Sequence, residues 1–301
     1  MHMLALSAAL LLAAAPPSSL QFWSDGQAEL SGYHSVRDRY GELRQGTTVL
    51  IFVKEPFSDA LRVKADPGKH PASDVFDVLK LNHVEKFQTG IYDYALMTSS
   101  FAAFAPRGAR RAGALAKIAF SSQEWCGAMF EELLFDPDGI RQKRFSYFDG
   151  EADQEQKLAW PPDGITVDEL PILVRSIPAP FLERGEKKSL PILPSLTLAR
   201  LLHQELGWQP GSIERGKDAQ EIEVPAGRFT VEAWTVRWGK DQTIRYSVEA
   251  AHPHRVIAWS GPGKNEGKLA GSARLKYWEL QSEGHEKHLA ELGLAPKSLR
   301  K

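Results

Sequence analysis

Runs of β-branched and aromatic residues recur at short spacing along this chain, each closed by glycine or proline, and they confine it to an antiparallel β architecture. Residues 47–53 read Thr-Thr-Val-Leu-Ile-Phe-Val between Gly46 and Pro56, the composition of a well-buried strand. Further strands are expected at 75–84, 90–101, 116–122, 128–135 and 141–148. Between the last two, Asp136-Pro137-Asp138-Gly139 supplies a fixed φ and a glycine tolerant of positive φ, which predicts a hairpin. Within 141–148, Phe145 and Tyr147 alternate imperfectly with Arg144 and Ser146, a period of two that places one wall against a core. The pattern resumes at 229–238, 243–250, 256–260 and 273–280, with a turn at Gly239-Lys240-Asp241 and a break at His252-Pro253.

The middle of the chain differs. Residues 151–164 are acidic and polar and carry Pro161 and Pro162, as a connector does. Thr166 and Glu169 have the spacing of a capping box, Pro171 falls early enough to be tolerated, and Leu170, Leu173, Val174 and Ile177 form an apolar stripe, so a helix is expected there. After the proline-broken segment 181–194, Leu198, Leu201, Leu202 and Leu206 predict a second helix over 196–206, stopped by Gly207. A short charged helix is expected at 283–292. Strands and helices do not alternate as a parallel sheet requires. The expected fold is therefore mainly β: an antiparallel open barrel or strongly curved sheet of about ten to eleven strands with two or three covering helices. Residues 20–282 form one domain with a helical insert at about 165–207, and 283–301 form a charged tail.

Residues 1–19 have the layout of a secretory signal peptide, an apolar Leu/Ala core at 3–15 followed by Pro16-Pro17-Ser18-Ser19. That core is too short to span a bilayer, no later segment is long and apolar enough, and no cysteine follows it to anchor a lipoprotein. The expected location is periplasmic or secreted, with no integral membrane span after signal removal. Hydrophobic residues are 43% and charged residues 25%, with a net charge of -1, which fits a globular protein and argues against nucleic acid as partner. The one cationic cluster, Arg107 to Arg111, lies in a Gly/Ala/Pro segment and reads as a solvated loop. With one cysteine no internal disulfide forms, so stability must come from the core.

Val224-Pro225-Ala226-Gly227-Arg228-Phe229, followed by strand, turn, strand and the run 253–259, resembles the C-terminal half of the bacterial exported family called domain of unknown function 3108. The first half, with Arg39-Tyr40-Gly41, Ile51-Phe52-Val53-Lys54-Glu55, Thr89-Gly90-Ile91-Tyr92-Asp93-Tyr94 and Gln123-Glu124-Trp125-Cys126-Gly127, is similar to envelope proteins that sometimes carry a septum-formation-inhibitor label. The resemblance implies a lipoprotein-carrier-like fold, an incomplete antiparallel barrel with helices across its opening, and no established chemistry.

Cys126 is the one candidate nucleophile, needing a base such as His34, His83, His203, His252 or His254 beside it; the simpler expectation is an inert thiol buried next to Trp125. No Gly-x-Ser-x-Gly elbow, cysteine-protease signature or nucleotide-binding glycine loop occurs. His285 and His288 lie one helical turn apart on a charged segment, and His252-Pro253-His254 reads as a turn; no metal and no cofactor are expected. Tyr92, Tyr94 and Thr98 share one face of a strand and, with Trp234, are the candidate ligand-binding residues of a sheet cavity. The expected function is non-catalytic binding of an apolar ligand, a lipid or a lipid-modified envelope component. The alternatives are a thiol-dependent hydrolase or transferase using Cys126, and a structural or interaction protein of the envelope that uses its surface and the 209–216 loop region.

Overall fold

The computed structural model describes residues 19–295, so the apolar run at 3–15 and the end of the charged tail lie outside the described residues. A short helix α1 (Ser19–Trp23) leads into an antiparallel meander of β1 (Ala28–Arg39), β2 (Glu42–Ser58), β3 (Val75–Thr89), β4 (Tyr92–Ala103), β5 (Leu115–Glu124), β6 (Gly127–Asp136), β7 (Gly139–Ser146) and β8 (Gln154–Leu158). The insert follows as β9 (Ile165–Thr166), a 3-10 turn (Val167–Glu169), α2 (Leu170–Leu173), β10 (Lys187–Leu193) and α3 (Leu196–Leu202). A second meander runs through β11 (Gln209–Val224), β12 (Gly227–Trp238), β13 (Gln242–Glu249), β14 (Val256–Gly261) and β15 (Asn265–Leu275).

All fifteen strands form one sheet, ordered β8-β7-β6-β5-β4-β3-β2-β1-β15-β14-β13-β12-β11-β10-β9. The two meanders meet where β1 pairs antiparallel with β15, and only β9 runs parallel to its neighbour. Alternation builds the inner face: Phe52, Leu81, Ser100, Ile118, Leu133 and Gln142 stand opposite one another across β2 to β7, and all are buried. The sheet must bend strongly. His83 on β3 and Trp259 on β14 are four strand spacings apart, about 19 Å in a flat sheet, yet their rings lie 6.1 Å apart. Its two edges, β8 and β9, are joined by residues 159–164 alone, so the gap between the ends of the sheet is at most about 25 Å.

The insert fills the concave face. Arg175 pairs with Glu29 on β1 at 2.6 Å, and Arg200 on α3 pairs with Glu124 on β5 at 2.7 Å, both pairs fully buried. Arg39 donates to the Leu201 carbonyl at 2.7 Å and Ser100 to that of Asp168 at 2.9 Å. One apolar core extends from Trp23 through both meanders and the insert.

Four expectations are corrected. The sheet has fifteen strands: β1 is rich in polar residues and interrupted by Gly32, β8 and most of β11 are too polar to show a hydrophobic pattern, β9 is two residues long, and β10 carries a proline; Pro191 faces Pro210, so the two missing N–H groups share one rung. Residues 209–216, expected as a surface loop, begin β11. The Thr166/Glu169 capping box is present, yet the helix it starts is short, since Ser176 turns left-handed at φ 58°. α3 stops at Leu202 because His203 adopts φ 52°, before Gly207 is reached.

At the seam of the meanders, Gly32 and Gly271 face each other, and a 3-10 helix (His285–Leu292), in place of the expected charged α-helix, lies against them. A Cβ on Gly32 would sit 2.2 Å from the Leu292 carbonyl oxygen, so this close approach needs glycine. Leu292 is buried there beside Leu30 and Val53. No helix among the described residues is long and apolar enough to cross a membrane.

Candidate functional site

Under the insert the concave face retains a cavity of about 60 Å³, bounded by His83, Asp168, Thr197, Tyr246, Trp259 and Asn265 among others. That is room for a few ordered waters, well short of the roughly 300–1,000 Å³ of a ligand pocket. Burial pushes the Asp168 carboxyl up to about 7, against the Leu196 N–H bond that favours the anion, and burial holds the His83 imidazole below its ordinary value.

The larger space lies at the rim where β2–β3, β4–β5 and β6–β7 turn. A mouth of about 530 Å³ is lined by Arg62, Arg107, Arg110 and Arg111 against only two carboxylates, Asp59 and Asp136, with Phe135 and Trp160 as apolar wall. Local hydrogen bonds build it. Asp74 accepts from the Ser58 hydroxyl at 2.5 Å and the Ala60 N–H at 2.8 Å, which ties the β2–β3 loop and sets Arg62 in place at φ 58°. Arg107 and Arg110 flank a two-residue turn closed by reciprocal backbone bonds of 2.7 and 2.8 Å, with Gly108 at φ 53°. Arg62 donates to the carbonyls of Ala116 and Phe135 and pairs with Asp136 at 2.7 Å. Arg110 donates to the carbonyls of Leu115 and Phe135 and reaches Asp59 at 3.3 Å.

The expected solvated loop is thus largely anchored, and of its three arginines only Arg111 is exposed. Burial first, then the neighbouring Arg62, lowers the Arg110 pKa from its ordinary value, against the opposing pull of Asp59 and Asp136.

A second space of about 230 Å³ adjoins the mouth, sharing Arg111, Ala114 and Trp160 with it. Its lining is mostly apolar, including Leu115, Ile165, Leu173, Ile177 and Phe181, with Glu169 the one carboxylate. Burial pushes Glu169 up to about 7, opposed by its bond from the Thr166 N–H and by Arg111. The 159–164 connector supports this wall: Trp208 donates to the Ala159 carbonyl at 2.7 Å, and Trp160 meets Phe135 edge-on at 5.1 Å.

The residues singled out in the sequence lie elsewhere. Tyr94 is buried, stacked on Phe87 at 4.8 Å and bonded to Arg39 and Tyr40; Thr98 meets Thr197 at 3.3 Å. Tyr94 and Thr98 do share the inner face of β4, while Tyr92 sits at its start, 3.4 Å from the Tyr40 hydroxyl. Trp234 is buried in the other meander under the Arg215 guanidinium. None of the four lines the mouth, the apolar space or the enclosed cavity.

Cys126, expected to be buried, is exposed in the β5–β6 turn, where a two-residue reversal leaves no room to pack it inward. Among the described residues no hydrogen bond joins it to an imidazole; His203, on the same rim, is engaged by Glu151 at 2.6 Å and Arg200 at 3.3 Å. His288 pairs with Glu291, His254 with the Glu249 carbonyl, and no cluster among the described residues is arranged to hold a metal.

Arg62 and Trp160 are not marked by any local pattern, because the groups they meet, the Ala116 and Phe135 carbonyls and the Phe135 ring, are distant in sequence. The only local signal was the Pro161-Pro162 pair that stiffens the segment after Trp160. No family model, curated protein or solved structure matches the chain.

Proposed function

We propose that the protein is a non-catalytic binding protein whose ligand is an anionic amphiphile, a lipid-like molecule with one acidic head and an apolar tail. The observation that carries this reading is the shared wall: an arginine-rich mouth and an apolar space meet at Arg111, Ala114 and Trp160. A carboxylate or phosphate in the mouth would receive charge-assisted hydrogen bonds from guanidinium groups that outnumber their acidic partners. The tail would lie along Leu115, Ile165, Leu173 and Phe181, each buried methylene contributing about 0.8 kcal/mol.

The site differs from the sheet cavity expected from the sequence, since the insert occupies the concave face. A periplasmic or secreted location, and a relation to the lipoprotein-carrier-like exported family, remain part of the proposal and rest on the sequence of residues 1–20 and the motifs quoted above.

Native mass spectrometry of gently purified protein tests the reading, followed by calorimetric titration with dodecanoate. A solvent-extractable acidic adduct and one-to-one binding are expected. Absence of both an adduct and a binding isotherm would remove the proposal. Full affinity in the Arg111→Ala/Trp160→Ala double variant would place the ligand elsewhere.

A further inference from the structure

The opposite rim carries a different surface. The turns β1–β2, β3–β4 and β5–β6 and the chain just after β7 emerge at one end of the meander. Each presents a large apolar side chain: Tyr40 is 59% exposed, Ile91 80%, Trp125 69% and Tyr147 76%.

Contacts join three of these turns, with Tyr147 close by. The Tyr40 and Tyr92 hydroxyls are 3.4 Å apart, the Tyr92 and Trp125 rings 6.3 Å, and the Tyr147 ring lies over Gly127, where a Cβ would be 2.5 Å away. Behind the tips, Met97, Ser121, Phe130 and Phe145 stand opposite one another across β4 to β7, with the two phenylalanines and Met97 exposed on the outer face.

Arg39 and Glu124 at the tips are turned inward, while the acidic Glu42, Asp93 and Asp149 stay exposed. Arg39, beside Tyr40, bonds the Leu201 carbonyl and the Tyr94 hydroxyl; Glu124, beside Trp125, is buried against Arg200; exposed Glu42 is paired with Arg44 at 2.7 Å. The other rim has exposed apolar residues too, Leu61 and Val63, but they stand among Asp59, Arg62, Lys64 and Asp66.

We infer that the Tyr40–Ile91–Trp125–Tyr147 rim docks on the headgroup layer of a lipid bilayer. Tyrosine and tryptophan at turn tips suit that layer, apolar body inward and polar atom at the wet boundary, and Ile91 adds a purely apolar anchor. Arg39 and Glu124 are already engaged inside the fold, and the charges left exposed at the turns, Glu42, Asp93 and Asp149, are acidic, which favours zwitterionic lipid over an anionic surface. Docked this way, the arginine mouth at the far end of the strands faces solution.

Co-sedimentation of the full chain with phosphatidylcholine vesicles tests this against an Ile91→Ser/Trp125→Ser variant. Both chains keep the same N-terminal apolar run, so their difference isolates the rim. The variant is expected to lose about tenfold or more in partitioning, with its circular dichroism and unfolding midpoint unchanged. Adding phosphatidylglycerol should not raise the wild-type partitioning. Equal partitioning of the two chains would overturn the inference. So would a wild-type dimer in analytical ultracentrifugation that the same substitutions dissolve, because a second copy of the chain would then be what covers the rim.

Discussion

The two rims of the first meander differ in their turns: two-residue reversals close the aromatic rim, whereas longer loops at 59–74 and 104–114 collect guanidinium groups at the other. At the arginine rim, Arg62 and Arg110 share Asp59 and cap the carbonyls of neighbouring turns, leaving four cations against two carboxylates around open space. At the aromatic rim, Glu124 is buried against Arg200, and Arg39 donates to the Leu201 carbonyl of α3 and to the Tyr94 hydroxyl. The difference shows how antiparallel topology separates functions. Alternate hairpin turns lie on opposite ends of a meander, so sequence neighbours such as Trp125 and Asp136, eleven positions apart, serve surfaces a strand length away.

The sharpest way to break the comparison is to remove one acid from each rim. Glu124→Ala leaves Arg200 buried without its counter-ion, and about 3–5 kcal/mol of stability should be lost. Asp59→Ala, at a partly exposed carboxylate whose arginines keep their carbonyl partners, should lose less than about 1 kcal/mol. Urea unfolding of the two variants gives both numbers. A larger loss for Asp59→Ala would show that the arginine rim is the structural one.

Ligand affinity separates the rims next. The Arg111→Ala/Trp160→Ala variant removes an exposed cation and the wall shared by mouth and apolar space. Dodecanoate affinity should fall about thirtyfold, ~2 kcal/mol, in calorimetric titration. Ile91→Ser should leave it within a factor of two, since Ile91 lies at the other end of the strands.

Much of the fold was legible, and the reason is local. Strands such as β2 and β12 carry their β-branched and aromatic residues in a contiguous stretch, and the Asp136–Gly139 turn has the chemistry its geometry requires. β11 was not legible because Glu-Arg-Gly-Lys-Asp-Ala-Gln-Glu has no apolar period; partners on both sides hold it in the sheet. The site was least legible. Arg107 and Arg110 look solvated in a Gly/Ala/Pro segment, and the Val75 and Phe135 carbonyls that help anchor them are brought near only by the folded sheet. For Tyr92, Tyr94 and Thr98, period-two alternation tells which face a residue occupies and nothing about what covers that face.

The wall of the apolar space predicts a pH effect. Glu169 and the neighbouring Asp168 are raised to about 7 by burial, so between about pH 4.5 and pH 7 the folded chain keeps protons that the unfolded chain releases. Their contribution is greatest at the acidic end of that window and declines as pH rises through it. Glu169→Gln keeps a capping side chain and cannot ionise. Against the wild type it should gain on the order of 1–2 kcal/mol at pH 8 and little at pH 5, read from urea midpoints at the two pH values. An equal effect at both would mean that Glu169 is not titrating in that window.

The smallest effect belongs to the most conspicuous residue of the sequence. Cys126 is exposed in the β5–β6 turn and makes no hydrogen bond to a base among the described residues, so Cys126→Ser should change stability by less than about 0.5 kcal/mol and leave dodecanoate affinity unaltered. The folded wild type should nevertheless react fully with a maleimide, because the thiol is exposed. Labelled there with an environment-sensitive dye, the protein reports on its own aromatic rim: emission should shift to the blue with phosphatidylcholine vesicles and stay fixed with dodecanoate. A shift caused by dodecanoate instead would place the amphiphile beside Trp125, and the division of labour between the two rims would be reversed.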